Sequence, residues 1–574
     1  MMQVSISSTI IFIGACLLLL FLPLPYGSVE GWSVFVFETA TLLLAGIYLA
    51  GKFREQRGRG RKDRRDLALN SRLAGTSGSN TEIKTEKPAS EPRLSGSGYG
   101  FGLRAAGILL ALFFGAAVFQ LLPIPLSLLR SFSPETAAVY DWSGLAESGT
   151  NFFRVSFIPS ATRSEFIKYA CYFLFGFLLF KTIKSRRQAE ALVLVILASG
   201  LFQAFYGLAE YFGGTDRIFS YQNVSGRGSA FGTFINRDHY SGFLEMIFPL
   251  CIGYLLAKAD FFSMKNGLSL RQKIVWFSQE KLQKVFILGV VAVILGMGLF
   301  FSRSRSGVII LVITFFLMMT ALSAGRRSKR NKVENNRHPG EVSGSIRGSL
   351  SVSGEESKSG AASGLENVIG HEMRNDRERR SANRRMHPQT LGHTRYIKMV
   401  RTTGLVLAFT LIFIGIKPVI ERFTLDSLIS ESRPRFYALT LDMIGDFPVL
   451  GTGAGTYIHA YTRYEQEDLS GILHHAHNDY LEMLAEMGMV GGGAIILAAF
   501  IALGWMLARW LKRRDEFVRG VGLGCMAGVT AVLIHSVSDF ILRTPAVAVY
   551  FVALYALGMR MVLLRQRTER RQYR

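Results

Sequence analysis

Apolar blocks about twenty residues long constrain the fold of this chain more than any other feature of its sequence. Hydrophobic residues make up 49% of its 574 residues, and they are concentrated in these blocks. A helix of about 20 apolar residues crosses the hydrocarbon core of a bilayer, and it satisfies its backbone hydrogen bonds internally. The sequence therefore predicts an all-α polytopic membrane protein rather than a set of soluble domains.

We predict about twelve transmembrane helices from these blocks. The predicted spans lie at about residues 9–25, 31–50, 104–122, 166–183, 191–212, 240–257, 285–301, 307–324, 402–420, 488–508, 520–540 and 545–564. The first block could also be a secretory signal peptide, but no Lys or Arg precedes it and no A-x-A cleavage site follows it. We therefore interpret it as the first spanning helix.

Clustered Lys and Arg residues indicate the orientation of the chain. The net charge is +24, and its main clusters fall in alternate loops between the predicted spans. These basic segments are 52–65, 184–187, 258–284, 326–332, 512–514 and 565–574. Cytoplasmic loops of membrane proteins carry such an excess, so we predict a protein of the cell inner membrane with both termini in the cytoplasm. The charge then reflects topology and contact with membrane lipids, and we expect no nucleic-acid partner.

The same patterns suggest a division of the chain into six regions. We expect two transmembrane helices in 1–51, a basic disordered cytoplasmic linker in 52–100, a transmembrane core in 101–324, a disordered basic cytoplasmic loop in 325–398, a second membrane region in 399–564 with a large helical periplasmic loop at 418–487, and a basic cytoplasmic tail in 565–574. The disorder is expected because both linkers have too little aliphatic content to offset the entropy of ordering.

Two arginines lie in a tight predicted hairpin between the seventh and eighth spans. The segment Ser302–Gly307 places Arg303 and Arg305 on the outer side, against the usual charge bias. A guanidinium there could bind a phosphate through its planar fork of N–H donors. Alternatively, both side chains extend to lipid headgroups.

A second pair of arginines begins a predicted helix in the large outer loop. Pro434 suits the first turn of a helix, so the helix would run to about Gly445 and place Arg433 at its N-terminal end, beside Arg435. Free amides and the helix dipole attract anions there. Surface ion pairs of the two arginines are the alternative. The glycine run 451–455 predicts a tight turn, not a dinucleotide site, since no strand precedes it.

Three histidines within four residues close the same loop, at His474, His475 and His477. Asn478 predicts the N-cap of a helix that leads into the tenth span, which would hold His477 at the membrane surface. Histidine is suited to accept a proton near neutral pH. A zinc site or a solvated loop histidine are the alternatives, although neither a thiolate nor an H-E-x-x-H spacing is present. We expect no metal and no cofactor.

Span eleven carries His535 and Asp539 near its outer end, and Arg543 follows four residues after Asp539. Ionisable residues at membrane depth are functional candidates. Here we predict a local Asp539–Arg543 pair that stabilises the outer rim.

The order and spacing of these motifs resemble a known family. One segment resembles the H-[NSQ]-x9-G-x-x-G signature of O-antigen ligases: His477-Asn478 is followed after nine residues by Gly488 and after two more by Gly491. The hairpin pair Ser304-Arg305 resembles the Ser-Arg step of the same family. In this family the motifs lie on the outer side of a polytopic protein.

Two further segments extend the resemblance to roughly residues 100–564. Arg433, fifteen residues before Pro448, resembles the arginine that opens the large periplasmic loop of the family, and the segment Gly232–Arg237 resembles its "GTF-N" block. Arg303 and Arg435 are extra arginines beside the matched ones. The linker 325–398 has no counterpart in the family pattern.

The resemblance implies an inverting, metal-independent, GT-C-like membrane glycosyltransferase. Its donor would be a glycan linked to undecaprenyl diphosphate, and its acceptor a hydroxyl of lipid A-core or of a growing glycan. The implied roles are general base for His477, diphosphate binding for Arg305, Arg433, Arg303 and Arg435, and support for Asn478, Gly488, Gly491 and Arg237. A polymerase of the same superfamily remains an alternative, as does a non-catalytic polysaccharide transporter or flippase, which would carry charged residues at mid-depth.

Overall fold

The structure, a computed structural model, describes residues 6–74, 100–145, 151–224, 226–258, 280–335, 433–465 and 473–564. These ranges are mostly helical. The helices are α1 (Ile6–Phe21), α2 (Gly31–Ala74), α3 (Phe101–Leu121), α4 (Leu126–Phe132), α5 (Pro134–Trp142), α6 (Pro159–Thr182), α7 (Arg186–Gly213), α8 (Arg237–Lys258), α9 (Glu280–Phe301), α10 (Arg305–Asn335), α11 (Arg433–Asp446), α12 (Tyr457–Tyr461), α13 (Asp479–Trp510), α14 (Glu516–His535) and α15 (Pro545–Leu563).

Short elements connect some of these helices. Single 3₁₀ turns lie at Tyr26–Ser28 and Ile541–Arg543. Strand β1 (Ile124–Pro125) pairs antiparallel with β2 (Phe152–Phe153), and β3 (Arg217–Ile218) pairs antiparallel with β4 (Tyr221–Gln222). All four strands lie in connections between helices, so the membrane-spanning part of the described chain is helical.

Eight of the described helices are long and apolar enough to cross a membrane, and Ile6–Phe21 and Arg305–Ala321 are shorter apolar helices. This confirms the prediction of an all-α polytopic membrane protein. Every predicted span except 402–420, which lies outside the described residues, falls largely on a helix. The count of twelve spans stays a prediction.

Helix α8 lies at the centre of the bundle, where every residue from His239 to Ala257 is buried. Glycines let α14 approach it closely. A Cβ added at Gly253 would lie 2.3 Å from the carbonyl oxygen of Gly520, and one added at Gly524 would lie 2.8 Å from the Cα atom of Leu250. Small residues four apart permit such backbone contact between membrane helices, where packing rather than hydrophobicity drives association.

Two helices are longer than the sequence analysis predicted. Helix α2 continues to Ala74 and α10 to Asn335, so 52–74 and 325–335 are helical rather than disordered. Arg, Lys, Glu, Gln, Leu and Ala, which dominate much of these extensions, are the residues with the highest helix propensity. The rest of both predicted linkers, apart from Gly100, lies outside the described residues.

Several helix ends meet at one end of the bundle. The amide of Ala230, seven residues before α8, donates to the carbonyl of Phe301 at the end of α9 (2.7 Å). Ser306 at the start of α10 bonds to Ser538 after α14 (2.9 Å). The amide of Asp479, the first residue of α13, donates to the carbonyl of Ser536 (2.9 Å). The predicted site residues Arg237, Arg303, Arg305, His477 and Asn478 lie at these ends, whereas Gly488 and Gly491 lie within α13. Arg433 and Arg435 lie in the first turn of α11.

Candidate active site

Helix α13 is interrupted at Gly488, whose backbone angles (φ 62°, ψ −175°) are not helical. The amides of Met489 and Val490 donate instead to the carbonyls of Pro448 and Val449, at 2.8 and 3.2 Å. A Cβ at Gly488 would lie 2.2 Å from the carbonyl oxygen of Val449. Only glycine allows both this backbone conformation and this close approach.

The glycine-rich turn completes the exchange of hydrogen bonds. Because of the break, the carbonyls of Ala485 and Glu486 lose their helical donors, and the amides of Thr452 and Gly453 replace them (3.1 and 2.9 Å). Buried backbone groups are almost always paired, so the turn and the break stabilise each other. The predicted tight turn at 451–455 is therefore built into α13.

Helix α3 holds this junction from the other side. Gln120 donates to the carbonyls of Leu450 and Glu486, at 2.6 and 2.8 Å. A Cβ at Gly491 would lie 3.2 Å from the Cβ of Ala116, so Gly491 allows α13 and α3 to pack closely. Gly488 and Gly491 thus act on the backbone that supports the site.

Asn478 is the N-cap of α13, as predicted. Its side-chain oxygen accepts from two amides of the first turn (3.0 and 3.1 Å), and its amide group donates to the carbonyl of Val537 (2.9 Å). The neighbouring Asp479 carboxylate accepts from the Ser536 hydroxyl (2.8 Å) and the Leu542 amide (3.1 Å). These bonds fix the start of α13 against the turn between α14 and α15.

His477 lies between this cap and the turn, in a left-handed backbone conformation (φ 51°). Its Nδ1 is 3.1 Å from Oδ1 of Asp539, which also accepts from the amide of Phe540 (2.9 Å). The side chain of His477 is 28% exposed, whereas that of Asp539 is 1% exposed. A carboxylate at Nδ1 favours the tautomer with its proton there, which leaves the lone pair of Nε2 available as a base. Phe436 stacks beside the imidazole, with ring centroids 6.2 Å apart.

Asp539 also faces Arg433. The guanidinium Nη2 is 3.7 Å from Oδ2 of Asp539 and 3.9 Å from Oδ2 of Asp238. Burial alone would raise the pKa of Asp539, but the hydrogen bond with His477 and the positive charge of Arg433 hold it below its usual range. One ionised carboxylate therefore connects the imidazole to an arginine.

Four arginines converge beside the His477–Asp539 pair. The guanidinium of Arg237 lies within electrostatic range of those of Arg303, Arg305 and Arg433. Helix α8 begins at Arg237, α10 at Arg305 and α11 at Arg433. Each start adds the positive end of a helix dipole to the guanidinium charge. Together these groups form a site suited to an anion.

The hairpin before α10 has a strained backbone. Arg303 has a φ of 55°, and its guanidinium donates to the carbonyl of Gly228 (2.9 Å). The Ser304 hydroxyl accepts from the amide of Gly307 (3.2 Å), which caps α10. Left-handed conformations of non-glycine residues are uncommon and are enriched at functional sites, and here they occur at both Arg303 and His477.

The structure separates Arg433 from Arg435. Arg435 is exposed, and its charge acts on Tyr461 in helix α12, which stacks on Tyr457 (5.3 Å between ring centroids). Arg433, two residues earlier, turns toward Asp539 and Arg237. The geometry therefore favours Arg433 as the arginine of this pair that belongs to the site.

The predicted Asp539–Arg543 pair is wrong. Arg543 lies 3.0 Å from Glu482 and 2.7 Å from Glu486, and it donates to the hydroxyl of Tyr169 (3.2 Å). Burial would lower the pKa of Arg543, but the two carboxylates raise it well above its usual value. Because α14 ends at His535, residues 539 and 543 share no helix and the i,i+4 rule does not apply.

The sequence analysis missed Phe540, Asp238 and Glu482 at the site, and it gave Asp539 the wrong partner. Asp539 and Phe540 contact His477, Asp238 faces Arg433, and Glu482 binds Nδ1 of His475 (2.8 Å). Within the described ranges no three His, Cys, Asp or Glu side chains form a group that could hold a metal ion. Asp539 was recognisable as an ionisable residue near a span end, but its partner was not.

Comparison with known proteins identifies one family. The O-antigen ligase family model matches residues 382–496, which include Arg433 and the segment from His477 to Gly491. No curated protein matches the chain. The family match agrees with the resemblance of the motifs that lie in this segment, namely Arg433 with Pro448 and His477-Asn478 with Gly488 and Gly491. The chain therefore carries a domain of the O-antigen ligase superfamily.

Proposed function

We propose that this protein is a metal-independent glycosyltransferase of the O-antigen ligase type, which transfers a glycan from undecaprenyl diphosphate to a hydroxyl of lipid A-core at the periplasmic face. One observation carries the proposal. A carboxylate-bound histidine lies beside four convergent arginines, and these residues come from five separate segments of the chain.

The arginines would bind the donor. Its leaving group is a lipid diphosphate, which needs no proton but does need its growing negative charge stabilised as the glycosidic bond breaks. Guanidinium groups fixed before reaction provide this stabilisation at little reorganisation cost. Arg433 and Arg305 stand at helix N-termini, which add to the positive potential.

His477 would act on the acceptor. The pKa of a sugar hydroxyl lies far above neutrality, so a general base that takes its proton accelerates attack on the anomeric carbon by about 10²–10⁴-fold. Nε2 is the base, because Nδ1 is bound to Asp539. The proton moves to Nε2 while the oxygen–carbon bond forms and the carbon–diphosphate bond breaks. This single displacement inverts the anomeric centre, as expected for a GT-C-like enzyme.

The distribution of charge favours a periplasmic site. Lys258 at the end of α8 binds Glu190 (2.5 Å), and Arg186 at the start of α7 faces Asp515 before α14 (4.0 Å), so these ends meet. This end of the bundle, opposite the site, carries the basic segments 184–187 and 512–514. Basic ends of membrane helices face the cytoplasm. This orientation is consistent with an inner-membrane protein whose termini are both cytoplasmic.

Transport is the second class to consider, and one buried pair bears on it. His535 lies 3.0 Å from Glu245, and both side chains are almost fully buried. Glu245 is the ninth residue of α8, so at about 1.5 Å per residue it lies roughly 12 Å from the start of the helix. Helix α8 has 22 residues, so its middle lies roughly 16 Å from its start and Glu245 lies closer to that middle than to the site end. A buried ionisable pair at this depth is a feature that a transport pathway would also have, so transport stays the alternative function.

The test uses the purified protein in lipid nanodiscs, with a glycan on undecaprenyl diphosphate as donor and rough lipid A-core as acceptor. His477→Ala should lose at least about 10²-fold in rate, and Arg305→Lys should lose activity because a point charge cannot replace the guanidinium fork. His474→Ala, which changes an exposed histidine of the same loop, is the control. Near-normal activity of His477→Ala would refute the proposal.

A deletion strain separates ligation from polymerisation. Loss of a ligase leaves complete polymer on its lipid carrier, whereas loss of a polymerase leaves single repeat units. Analysis of the lipid-linked and surface polysaccharide distinguishes the two. Unchanged surface polysaccharide would contradict both activities.

A further inference from the structure

Two histidine–carboxylate pairs flank one phenyl ring at the site. His475 binds Glu482 through Nδ1 (2.8 Å) and stacks on Phe540, with ring centroids 4.1 Å apart. His477 binds Asp539 through Nδ1 (3.1 Å) and contacts the same ring edge-on, at 4.9 Å. The proposed reaction uses only the second pair.

The buried carboxylate of Glu482 fixes the position of His475. Glu482 is 1% exposed, and it also accepts from the amide of Ala476 (2.9 Å) and pairs with Arg543 (3.0 Å). The imidazole that it holds is nevertheless 34% exposed. Because Nδ1 and one ring face are occupied, the exposed edge of the ring includes Nε2.

The lone pair at Nε2 of His475 determines which kind of ligand can bind there. With its proton at Nδ1, a neutral imidazole presents a lone pair at Nε2 and accepts a hydrogen bond there. A lone pair repels a phosphate oxygen, so the donor diphosphate belongs with the arginines. A saccharide hydroxyl, which is a hydrogen-bond donor, suits it. His475 and His477 present the same kind of nitrogen beside the same ring.

We infer that His475 binds the acceptor: its Nε2 accepts a hydrogen bond from a second hydroxyl of the saccharide whose reacting hydroxyl is deprotonated by His477. This inference rests on the proposed function and adds a residue that determines acceptor affinity. Holding two hydroxyls of one sugar fixes which oxygen faces the anomeric carbon, since position and orientation of the reacting groups govern the rate.

The test measures transfer kinetics with rough lipid A-core as the varied acceptor and a glycan on undecaprenyl diphosphate as donor. His475→Phe keeps an aromatic ring on Phe540 but removes both ring nitrogens, Nε2 and the Nδ1 that binds Glu482; Glu482 keeps its contacts with the amide of Ala476 and with Arg543. One hydrogen bond contributes roughly tenfold in affinity. We therefore expect the acceptor KM to rise about tenfold, while kcat at saturating acceptor and the donor KM stay near their wild-type values.

Two companion variants sharpen the test. His474→Phe changes the exposed neighbour of His475 and should leave both KM values unchanged. His475→Gln retains an acceptor oxygen and should recover part of the acceptor affinity. Thermal unfolding in the same nanodiscs establishes that each variant is folded.

Three results would overturn the inference. A loss of kcat with an unchanged acceptor KM would make His475 a positioning residue for His477 only. An equal rise in both KM values would indicate general distortion, and wild-type kinetics of a folded His475→Phe would remove any role. All three leave the proposed function standing, whereas a wild-type protein that transfers no glycan would refute both.

Discussion

Replacing Asp539 with asparagine changes the charge at the centre of the site while keeping its size. The carboxylate accepts from Nδ1 of His477 and faces Arg433 at 3.7 Å. An asparagine side chain that turns its amide group toward Nδ1 would donate there, which moves the imidazole proton to Nε2. The nitrogen assigned to the acceptor hydroxyl would then be unable to accept a proton.

The expected loss follows from this change of tautomer. A positioned general base contributes about 10²–10⁴-fold to rate, and a base in the wrong tautomer gives up most of that contribution. The lower limit corresponds to about 2.7 kcal/mol of transition-state stabilisation, at 1.36 kcal/mol per tenfold change. Because Asp539 does not touch the proposed acceptor or donor directly, we expect the loss in kcat rather than in either KM.

Initial rates of transfer at saturating donor and acceptor measure this loss. Asp238→Asn is the matched control. Asp238 also faces Arg433, at 3.9 Å, but among the described residues it is Asp539 whose carboxylate binds His477. The Asp238→Asn variant should lose less activity than Asp539→Asn, and its main change should be a higher donor KM. A folded Asp539→Asn protein with kcat within about threefold of wild type would be incompatible with His477 as the base.

Three further outcomes are expected. Arg433→Lys should reduce the rate of transfer at least about tenfold, and Arg435→Lys should reduce it far less, because Arg433 is the arginine of this pair that faces Asp539. A larger loss in Arg435→Lys than in Arg433→Lys would assign diphosphate binding to Arg435 instead. Gly488→Ala should lower the unfolding temperature by several degrees, since its backbone is left-handed and a Cβ has no room, whereas Gly493→Ala, where a Cβ meets only open space, should not. Since the pKa of Asp539 is held below its usual range, its contribution to stability is complete above about pH 3.9 and is lost as the pH falls through the lower folded value. The unfolding temperatures of wild type and Asp539→Asn should therefore converge only in acid.

Local features of the fold followed from local sequence. Apolar block length predicted the spans, Pro434 predicted the start of α11, and Asn478 predicted the N-cap of α13. Each depends on residues within one or two helical turns, where propensity and capping act directly. The position of Arg433 at a helix start was predictable for the same reason.

The contacts between segments could not be predicted in this way. Asp539 and His477 are separated by 62 residues, and the pair forms only because α14 ends at His535 and the following turn folds back on α13. The break at Gly488 likewise depends on a segment forty residues earlier, which supplies the replacement hydrogen bonds. A pattern within one helix gives no information about such partners.

The charge balance of the site points to an occupant that carries negative charge. Four guanidinium groups lie within electrostatic range of one another, and Arg433 faces the carboxylates of Asp238 and Asp539, the second of which also binds His477. Helix dipoles add further positive potential. Like charges in a partly desolvated site are poorly screened, so the guanidinium groups repel one another there. A bound diphosphate would replace these repulsions with attractions, so donor binding should stabilise the protein against unfolding. We therefore expect the donor to raise the unfolding temperature, and we expect a smaller rise in Arg433→Lys.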